Sequence, residues 1–141
     1  MILGTLRIFP PPSRRRDVLE LLRSVQGPVA AEPGCVAIRI YEEEGEEPAI
    51  VLVEQWESRT ALESHLGSDA YRLILGAIDL SSVPPEIRFD SVTESEGMEL
   101  IERIRTSGHT TDGDSRRSEG DAGPTATRPP GTTVPKGKRT P

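Results

Sequence analysis

The chain has 141 residues and a formal net charge of −6 at pH 7, with 34% apolar and 4% aromatic residues. This length suits one ordinary domain and excludes two of typical size. The low apolar fraction indicates that part of the chain does not contribute to a core. That part is the segment 107–141, in which only three of the 35 residues are apolar.

The segment 107–141 also holds five prolines, six glycines and ten serines or threonines. Because it cannot bury enough surface to offset the entropy of ordering, we expect a disordered tail whose deletion leaves the melting temperature and dimerisation unchanged. The tail carries a charge of +2, so residues 1–106 carry −8. Nucleic-acid affinity comes mostly from Lys and Arg at phosphates, and this acidic domain is therefore expected to bind no nucleic acid.

The composition also bounds the location and the cofactors. Cys35 is the one cysteine, which excludes an intrachain disulfide and a CxxC metal or redox motif. Residues 1–9 have no positive charge before their apolar stretch and carry Arg7 inside it, so we predict neither a signal peptide nor a membrane span, and a cytoplasmic location. The five carboxylates in 42–47 match no oxygen-ligand loop and are expected to be solvated. Neither the cysteine nor this acidic run predicts a metal site.

The first half of the chain predicts two strands and a helix. Residues 2–9 form a strand that stops at the triple proline 10–12, because proline cannot continue a ladder. Apolar residues then recur at helical spacing over 14–26, and Gln26-Gly27-Pro28 is expected to end that helix. A turn leads into a strand over 35–41.

The second half repeats the pattern. A strand over 49–56 precedes a helix that begins at Ser58 or Thr60, with Thr60 and Glu63 as a capping box. Ser68 is the predicted N-cap of a helix over 69–77. The last strand is predicted over 86–92 and a last helix over 95–105.

The resulting order, βαββαβ, is the ferredoxin-like α+β arrangement, an antiparallel sheet with helices on one face. We assign this domain to residues 1–93, an additional C-terminal helix to 94–106 and the disordered tail to 107–141. Residues 50–53 are apolar on both faces of their strand, and only one face can meet the helices. The sequence therefore predicts a homodimer in which a second copy covers the other face, although a buried central strand can show the same pattern.

Few residues are able to carry chemistry, and the chain contains no GxGxxG, P-loop, GxSxG or HExxH motif. His109 lies in the tail, where nothing holds its geometry. His65 follows Leu62 by three residues, which places it at the edge of the buried helix face, pointing toward the sheet. It could titrate a ligand in a cleft between sheet and helix, or it could be a packed, hydrogen-bonded histidine.

Four further side chains are candidates for the same cleft. Trp56 ends its strand just before the helix of His65 and is the largest apolar surface available, either as a wall of the cleft or as part of the core. Tyr41 and Tyr71 could direct their hydroxyl groups into the hollow. Arg39 lies in an otherwise apolar strand and requires an anionic partner, which could be Glu54 or a bound enolate or phenolate.

Three segments carry a resemblance to a known family. Residues 50–58 read Ile-Val-Leu-Val-Glu-Gln-Trp-Glu-Ser, residues 61–66 read Ala-Leu-Glu-Ser-His-Leu, and residues 32–35 read Glu-Pro-Gly-Cys. Together they closely resemble the antibiotic biosynthesis monooxygenase (ABM) family, which includes quinol monooxygenases. The resemblance covers roughly residues 1–93.

This resemblance implies a dimeric α+β barrel of ferredoxin-like subunits, each with an apolar pocket between sheet and helices. It also implies oxygenation of a small aromatic substrate, such as a quinol, an anthrone or a polyketide-like compound, by O2 without flavin, haem or metal. His65 would be the catalytic base or donor and Trp56 the wall of the substrate site. Tyr41, Tyr71 and Arg39 are candidate substrate-binding residues from their predicted placement alone.

The chain departs from the family at two positions. Relatives often carry a second histidine in a segment resembling Ser-Pro-His, where this chain has Ser68-Asp69-Ala70. The axial histidine of the related haem-degrading branch corresponds to Leu75, which disfavours haem degradation. Two alternatives stay open: a non-catalytic dimeric module that binds an aromatic metabolite, and isomerase or decarboxylase chemistry on the same fold.

Overall fold

The computed structural model describes residues 1–108, so the predicted disordered tail lies outside the described residues except for its first two positions. Four strands and four helices follow the predicted order. The strands are β1 (Ile2–Ile8), β2 (Cys35–Glu42), β3 (Ile50–Trp56) and β4 (Glu86–Ser91). The helices are α1 (Arg15–Ala30), α2 (Arg59–Leu66), α3 (Asp69–Asp79) and α4 (Met98–Ser107).

The strands form one antiparallel sheet in the order β2-β3-β1-β4. The first strand is central, because β1 pairs with β3 on one side and with β4 on the other. This register places Gly4 between Glu54 of β3 and Phe89 of β4. The predicted ferredoxin-like α+β fold is confirmed.

The two faces of the sheet differ in burial, because side chains alternate along each strand and only one face meets the helices. Alternate residues of β1 and β3 are buried and share a core with α1 and α3. The opposite face, which we call the open face, carries the half-buried Leu3, Thr5, Arg7, Val51 and Val53. The core residues are Ile2, Leu6, Ile8, Val18, Leu19, Leu22, Val25, Val29, Ile38, Ile50, Leu52, Trp56, Leu62, Ile74 and Ala77.

The first helix runs past its predicted end. Pro28 lies inside α1, which continues to Ala30, so the expectation that Gln26-Gly27-Pro28 ends the helix is wrong. A proline inside a helix is unfavourable because it lacks the N–H group that the helical hydrogen bond requires. Here Val29 is fully buried in the core, and its packing outweighs the local preference.

The N-termini of the next two helices depend on serine caps. Ser58 accepts a hydrogen bond from the Ala61 N–H group at 3.1 Å, which makes Ser58 the N-cap of α2. Thr60 is already inside the first turn, so the predicted capping box with Glu63 is wrong. Ser68 accepts from the Tyr71 N–H group at 3.2 Å, which confirms it as the N-cap of α3.

The sheet and the first three helices belong to a compact unit, residues 1–96. A second unit begins at Gly97 and contains α4, which starts three residues after its predicted position. None of the residues of α4 is buried.

Candidate active site

His65 lies between two carboxylates in the interior of the first unit. Its side chain on α2 is 0% exposed. On one side of the ring, Nδ1 is 2.8 Å from Oε2 of Glu32, in the turn after α1. On the other side, Nε2 is 3.2 Å from Oε1 of Glu54 on β3. Because a carboxylate only accepts hydrogen bonds, the short contact to Glu32 assigns a proton to Nδ1.

The contact between His65 and Glu54 is close but poorly aligned. Nε2 and Oε1 lie within ion-pair distance, yet neither atom has a hydrogen-bond partner among the residues that the structure describes. Glu54 itself is 4% exposed, so its carboxylate is as enclosed as the imidazole. A buried carboxylate without a full set of hydrogen bonds costs free energy, and its retention in a small core points to a function.

The two carboxylates favour the charged imidazole. Burial on its own lowers the pKa of His65, but the Glu54 carboxylate, followed by Glu32, outweighs burial and raises the pKa of His65 above its ordinary value. Tyr71 shifts for a different reason, because burial and then the negative charge of Glu54 raise the pKa of its hydroxyl group. At neutral pH the site therefore combines a protonatable imidazole with a neutral phenol.

Two aromatic rings hold the imidazole in place. The indole of Trp56 stacks on His65 with ring centroids 4.6 Å apart, and Tyr71 meets the imidazole edge-on with centroids 5.2 Å apart. Trp56 is fully buried, and its Nε1 has no hydrogen-bond partner among the described residues. These contacts fix the plane of the imidazole and therefore the direction of both ring nitrogens.

A small cavity adjoins this cluster on the side of Glu54. Its volume is about 10 Å³, the space of about one water molecule. Glu54 and Tyr71 line the cavity, whereas His65 and Trp56 do not. The other lining residues are Gly4, Thr5, Leu6, Leu52, Ile87 and Phe89.

Gly4 makes room for this cavity. A Cβ atom at this position would lie 3.2 Å from the Phe89 ring and 3.6 Å from Oε2 of Glu54. The carboxylate of Glu54 and the ring of Phe89 thus converge on the space that a larger residue at position 4 would fill. The absence of a side chain at Gly4 keeps the carboxylate accessible from the cavity.

The structure brings together three of the five predicted site residues, His65, Trp56 and Tyr71. It does not bring Arg39 and Tyr41 to the same place. Both are exposed residues of β2, and they pair with Val53 and Val51 on the open face. Their predicted placement in the cleft is therefore wrong for a single chain.

The same register rules out the predicted pairing of Arg39 with Glu54. Side chains alternate across a strand, and the neighbour of Glu54 on β2 is Ile38. Arg39 therefore points to the opposite face of the sheet from the Glu54 carboxylate.

Sequence reasoning missed the two carboxylates as members of the site. Glu54 had a detectable signal, because it is the single charged residue in the buried alternation of Ile50, Leu52 and Trp56. Glu32 had a weaker signal, since it belongs to the segment 32–35 that resembles the family but lies in a turn where an acidic residue is ordinary.

Residues 1–108 contain neither a metal-binding cluster nor a membrane-spanning helix. Within that range there is no group of three or more His, Cys, Asp or Glu side chains arranged to hold a metal ion. Over the same residues, no helix combines the length and the apolar character that crossing a bilayer requires.

Comparison with known proteins identifies the family. The sequence profile described as antibiotic biosynthesis monooxygenase matches residues 1–75. The protein named "Putative monooxygenase Rv0793" from Mycobacterium tuberculosis is 39% identical over 66 residues, 46% of this chain and 63% of that protein. The uncharacterised protein sll1783 from Synechocystis is 25% identical over 97 residues, 68% of this chain and 65% of that protein. The chain thus spans less than two thirds of the length of these curated relatives.

Solved structures agree with this assignment. The structure of Rv0793 superposes with a TM-score of 0.62 at 27% identity, covering 68% of this chain and 98% of that one. A crystal structure described as an antibiotic biosynthesis monooxygenase superposes with a TM-score of 0.60, covering 67% of this chain and 100% of that one. At 21% identity, this second likeness concerns the fold alone. Because the family profile covers more than half of the sequence, the chain belongs to the antibiotic biosynthesis monooxygenase family.

Proposed function

We propose that this protein is a cofactor-independent monooxygenase that oxidises a quinol, an anthrone or a polyketide-like aromatic with O2. The observation that carries this proposal is the buried imidazole of His65, held between two carboxylates beside a cavity that Glu54 and Tyr71 line. The family assignment supports a monooxygenase role, and the choice of aromatic substrate rests on the chemistry of the site.

The reaction is balanced without an external reductant. An electron-rich phenol or enol that loses its proton can pass one electron to O2, and the resulting superoxide and carbon radical combine to a peroxide. For an anthrone, breaking the O–O bond turns the CH2 group into a carbonyl, and the second oxygen atom leaves as water. The substrate supplies the electrons, so the protein has to deprotonate it, orient it and exclude bulk water.

The residues of the site suit these tasks. His65 provides a base whose proton affinity the neighbouring carboxylates increase. Tyr71 keeps its hydroxyl proton and can therefore donate a hydrogen bond to an oxyanion. Trp56 stacks behind the imidazole and fixes its orientation rather than forming the cavity wall.

Binding of an aromatic ring requires the cavity to expand. Phe89 and Ile87 close it from the edge strand β4, and both are partly exposed, with 38% and 47% of their surface accessible. Strand β4 is an edge strand that pairs with β1 alone, so its side chains have no neighbouring strand on one side. We expect the Phe89 ring to swing outward when substrate enters.

The open face of the sheet supports a homodimer. Val51 and Val53 lie there beside Arg39 and Tyr41, and no helix of residues 1–96 packs on this face. A second copy is the simplest cover for these apolar side chains. In such a dimer Arg39 and Tyr41 would lie at the subunit interface instead of in the cleft.

Oxygen consumption by the purified, metal-stripped protein with a panel of quinols and anthrones tests the proposal. His65→Gln removes the base, and Glu63→Gln, an exposed residue of the same helix, is the matched control. We expect uptake well above protein-free autoxidation for the wild type and the control, and a loss of about 100-fold or more for His65→Gln.

Other outcomes would favour the alternatives. Tight binding of an aromatic ligand without oxygen uptake for any substrate would contradict the oxygenase and leave a binding module. A product with the mass of the substrate, or of the substrate minus CO2, would indicate an isomerase or a decarboxylase.

A further inference from the structure

We propose that Glu54, and not His65, is the group that touches the substrate, and that Glu54, His65 and Glu32 form one path by which a proton leaves the cavity for the protein surface. This inference rests on the proposed function, because it assumes a phenol-like substrate in the cavity beside Glu54.

The first step of the path is set by what lines the cavity. Glu54 is a lining residue, whereas His65 is fully buried and is not. Oε2 of Glu54 points toward the space above Gly4, which the Phe89 ring closes. A substrate hydroxyl group in the enlarged cavity therefore reaches the carboxylate before it reaches the imidazole.

The second step joins Glu54 to His65. Oε1 of Glu54 and Nε2 of His65 lie 3.2 Å apart. Both atoms lack a hydrogen-bond partner in the part of the chain that the structure describes. A proton arriving on the carboxylate would satisfy both atoms after a small rotation, since a protonated carboxyl group donates and the neutral Nε2 accepts.

The third step connects His65 to the surface. Its Nδ1–H donates to Oε2 of Glu32 at 2.8 Å, and the Glu32 side chain is 21% exposed. Ser68 donates to the other oxygen of Glu32 at 3.4 Å and also caps α3, which holds this carboxylate in place. The path thus starts at the cavity beside Glu54 and ends at a carboxylate in contact with solvent.

The proton balance of the path is simple. At a pH at which the imidazole of His65 is neutral, the substrate hydroxyl group gives its proton to Glu54, which passes it to Nε2 of His65. The resulting imidazolium lies between two carboxylates, and its Nδ1 proton can leave through Glu32. The proton that the peroxide needs in order to release water can return by the same route.

The groups facing His65 determine how the path depends on pH. They are Glu54 from β3, Glu32 from the turn after α1 and Tyr71 from α3. Burial, followed by the negative charges of Glu54 and Glu32, raises the pKa of the Cys35 thiol at the start of β2. The two carboxylates thus also act on this thiol. Removing the charge of Glu54 or of Glu32 therefore changes the basicity of His65. Neither change alters the packing of His65 against the rings of Trp56 and Tyr71.

The test separates this path from oxygenation by using a ligand that reports its own ionisation. We choose 4-nitrophenol, whose anion is yellow, and bind it without O2 at a pH below that at which the free compound ionises. Equilibrium dialysis measures the total amount of bound ligand independently of its ionisation. The variants are Glu54→Gln, Glu54→Asp, Glu32→Gln and the control Glu63→Gln, each checked for folding by circular dichroism.

We expect the wild type and Glu63→Gln to bind the ligand as its anion. Glu54→Gln and Glu54→Asp should bind within about threefold of the wild type and lose the yellow band about tenfold or more, because the carboxylate contact is lost. Glu32→Gln should retain binding and retain part of the band, with its pH midpoint shifted, because His65 becomes a weaker base.

Two results would overturn the path. The first is ionisation of the bound ligand in Glu54→Gln at the wild-type level, and the second is failure of the wild type to bind 4-nitrophenol at all. If ionisation depends on Glu54 while oxygen uptake is absent for every substrate, the path stands and the proposed oxygenase is wrong. If uptake is present while ionisation ignores Glu54, the oxygenase stands and the path is wrong.

Discussion

The imidazole of His65 stacks on the indole of Trp56 with ring centroids 4.6 Å apart and ring planes 26° apart. Since Trp56 is the one tryptophan of the chain, its fluorescence reports the state of this imidazole without interference from another indole. A charged imidazolium quenches indole emission more strongly than a neutral ring does. The pair therefore gives an optical reading of the protonation of a buried histidine.

Fluorescence titration should reveal the raised pKa of His65 directly. We expect Trp56 emission to increase as the pH rises, with a midpoint above the ordinary histidine value of 6.5, because the Glu54 and Glu32 carboxylates outweigh burial. Glu54→Gln should move the midpoint to lower pH. A wild-type midpoint at or below the ordinary value would show that burial dominates.

Stability should depend on pH through the same histidine. The pKa of His65 is higher in the folded protein than in the unfolded chain, where it is near 6.5. The histidine therefore stabilises the fold fully at a pH below the unfolded-state pKa. This stabilisation is lost as the pH rises through the folded-state pKa. Urea unfolding from pH 6 to pH 9 should therefore show a larger fall in the free energy of unfolding for the wild type than for His65→Gln. Equal falls in the two proteins would contradict the assignment.

Gly4→Ala should narrow the cavity without breaking the sheet. Its Cβ atom would lie 3.2 Å from the flexible ring of Phe89 and 3.6 Å from the Glu54 carboxylate, so Phe89 has to shift outward. We expect aromatic ligands to bind about tenfold or more weakly, equivalent to about 1.4 kcal/mol. Trp56 quenching measures this affinity.

Phe89→Ala should have the opposite effect on the cavity to Gly4→Ala. It opens the same space from the side of β4, so it should restore part of the affinity in the double variant with Gly4→Ala. Equal affinity of the wild type and Gly4→Ala would mean that ligands bind elsewhere.

Pro28→Ala should stabilise the protein. Pro28 is exposed and lies inside α1, where its missing N–H group leaves the carbonyl of Ser24 without its helical partner. Restoring that hydrogen bond should add about 1–2 kcal/mol to the free energy of unfolding, after allowing for the more flexible unfolded chain. Thermal melting checks the change, and a lower melting temperature would show that the proline is needed at this position.

The sequence was sufficient for the fold because local signals agreed with one another. Prolines 10–12, the continuous apolar run 50–53 and the Ser68 cap each indicate an element, or the end of one, that the structure contains. The end of α1 could not be predicted, since the burial of Val29 decides it and burial is a property of the packed chain.

The candidate site was only half predictable for the same physical reason. His65 and Trp56 lie near each other in sequence and on adjoining elements, so helical geometry was enough to bring them together. Glu32 comes from 33 residues away and meets His65 only after α1 and α2 have packed. Arg39 and Tyr41 were misplaced because strand alternation gives two faces, and residue type alone does not say which face meets the helices.

A charge on the open face should disrupt a homodimer. Val53 is half-buried there between Thr5 and Arg39 on the neighbouring strands, at the centre of the surface that a second copy would cover. We expect the wild type to sediment as a dimer and Val53→Glu to sediment as a monomer, because a buried, unpaired carboxylate at an interface costs several kcal/mol. Leu73→Glu, at an exposed apolar residue on α3, is the matched control and should stay dimeric. A dimer that survives Val53→Glu with unchanged affinity would place the subunit interface on another surface.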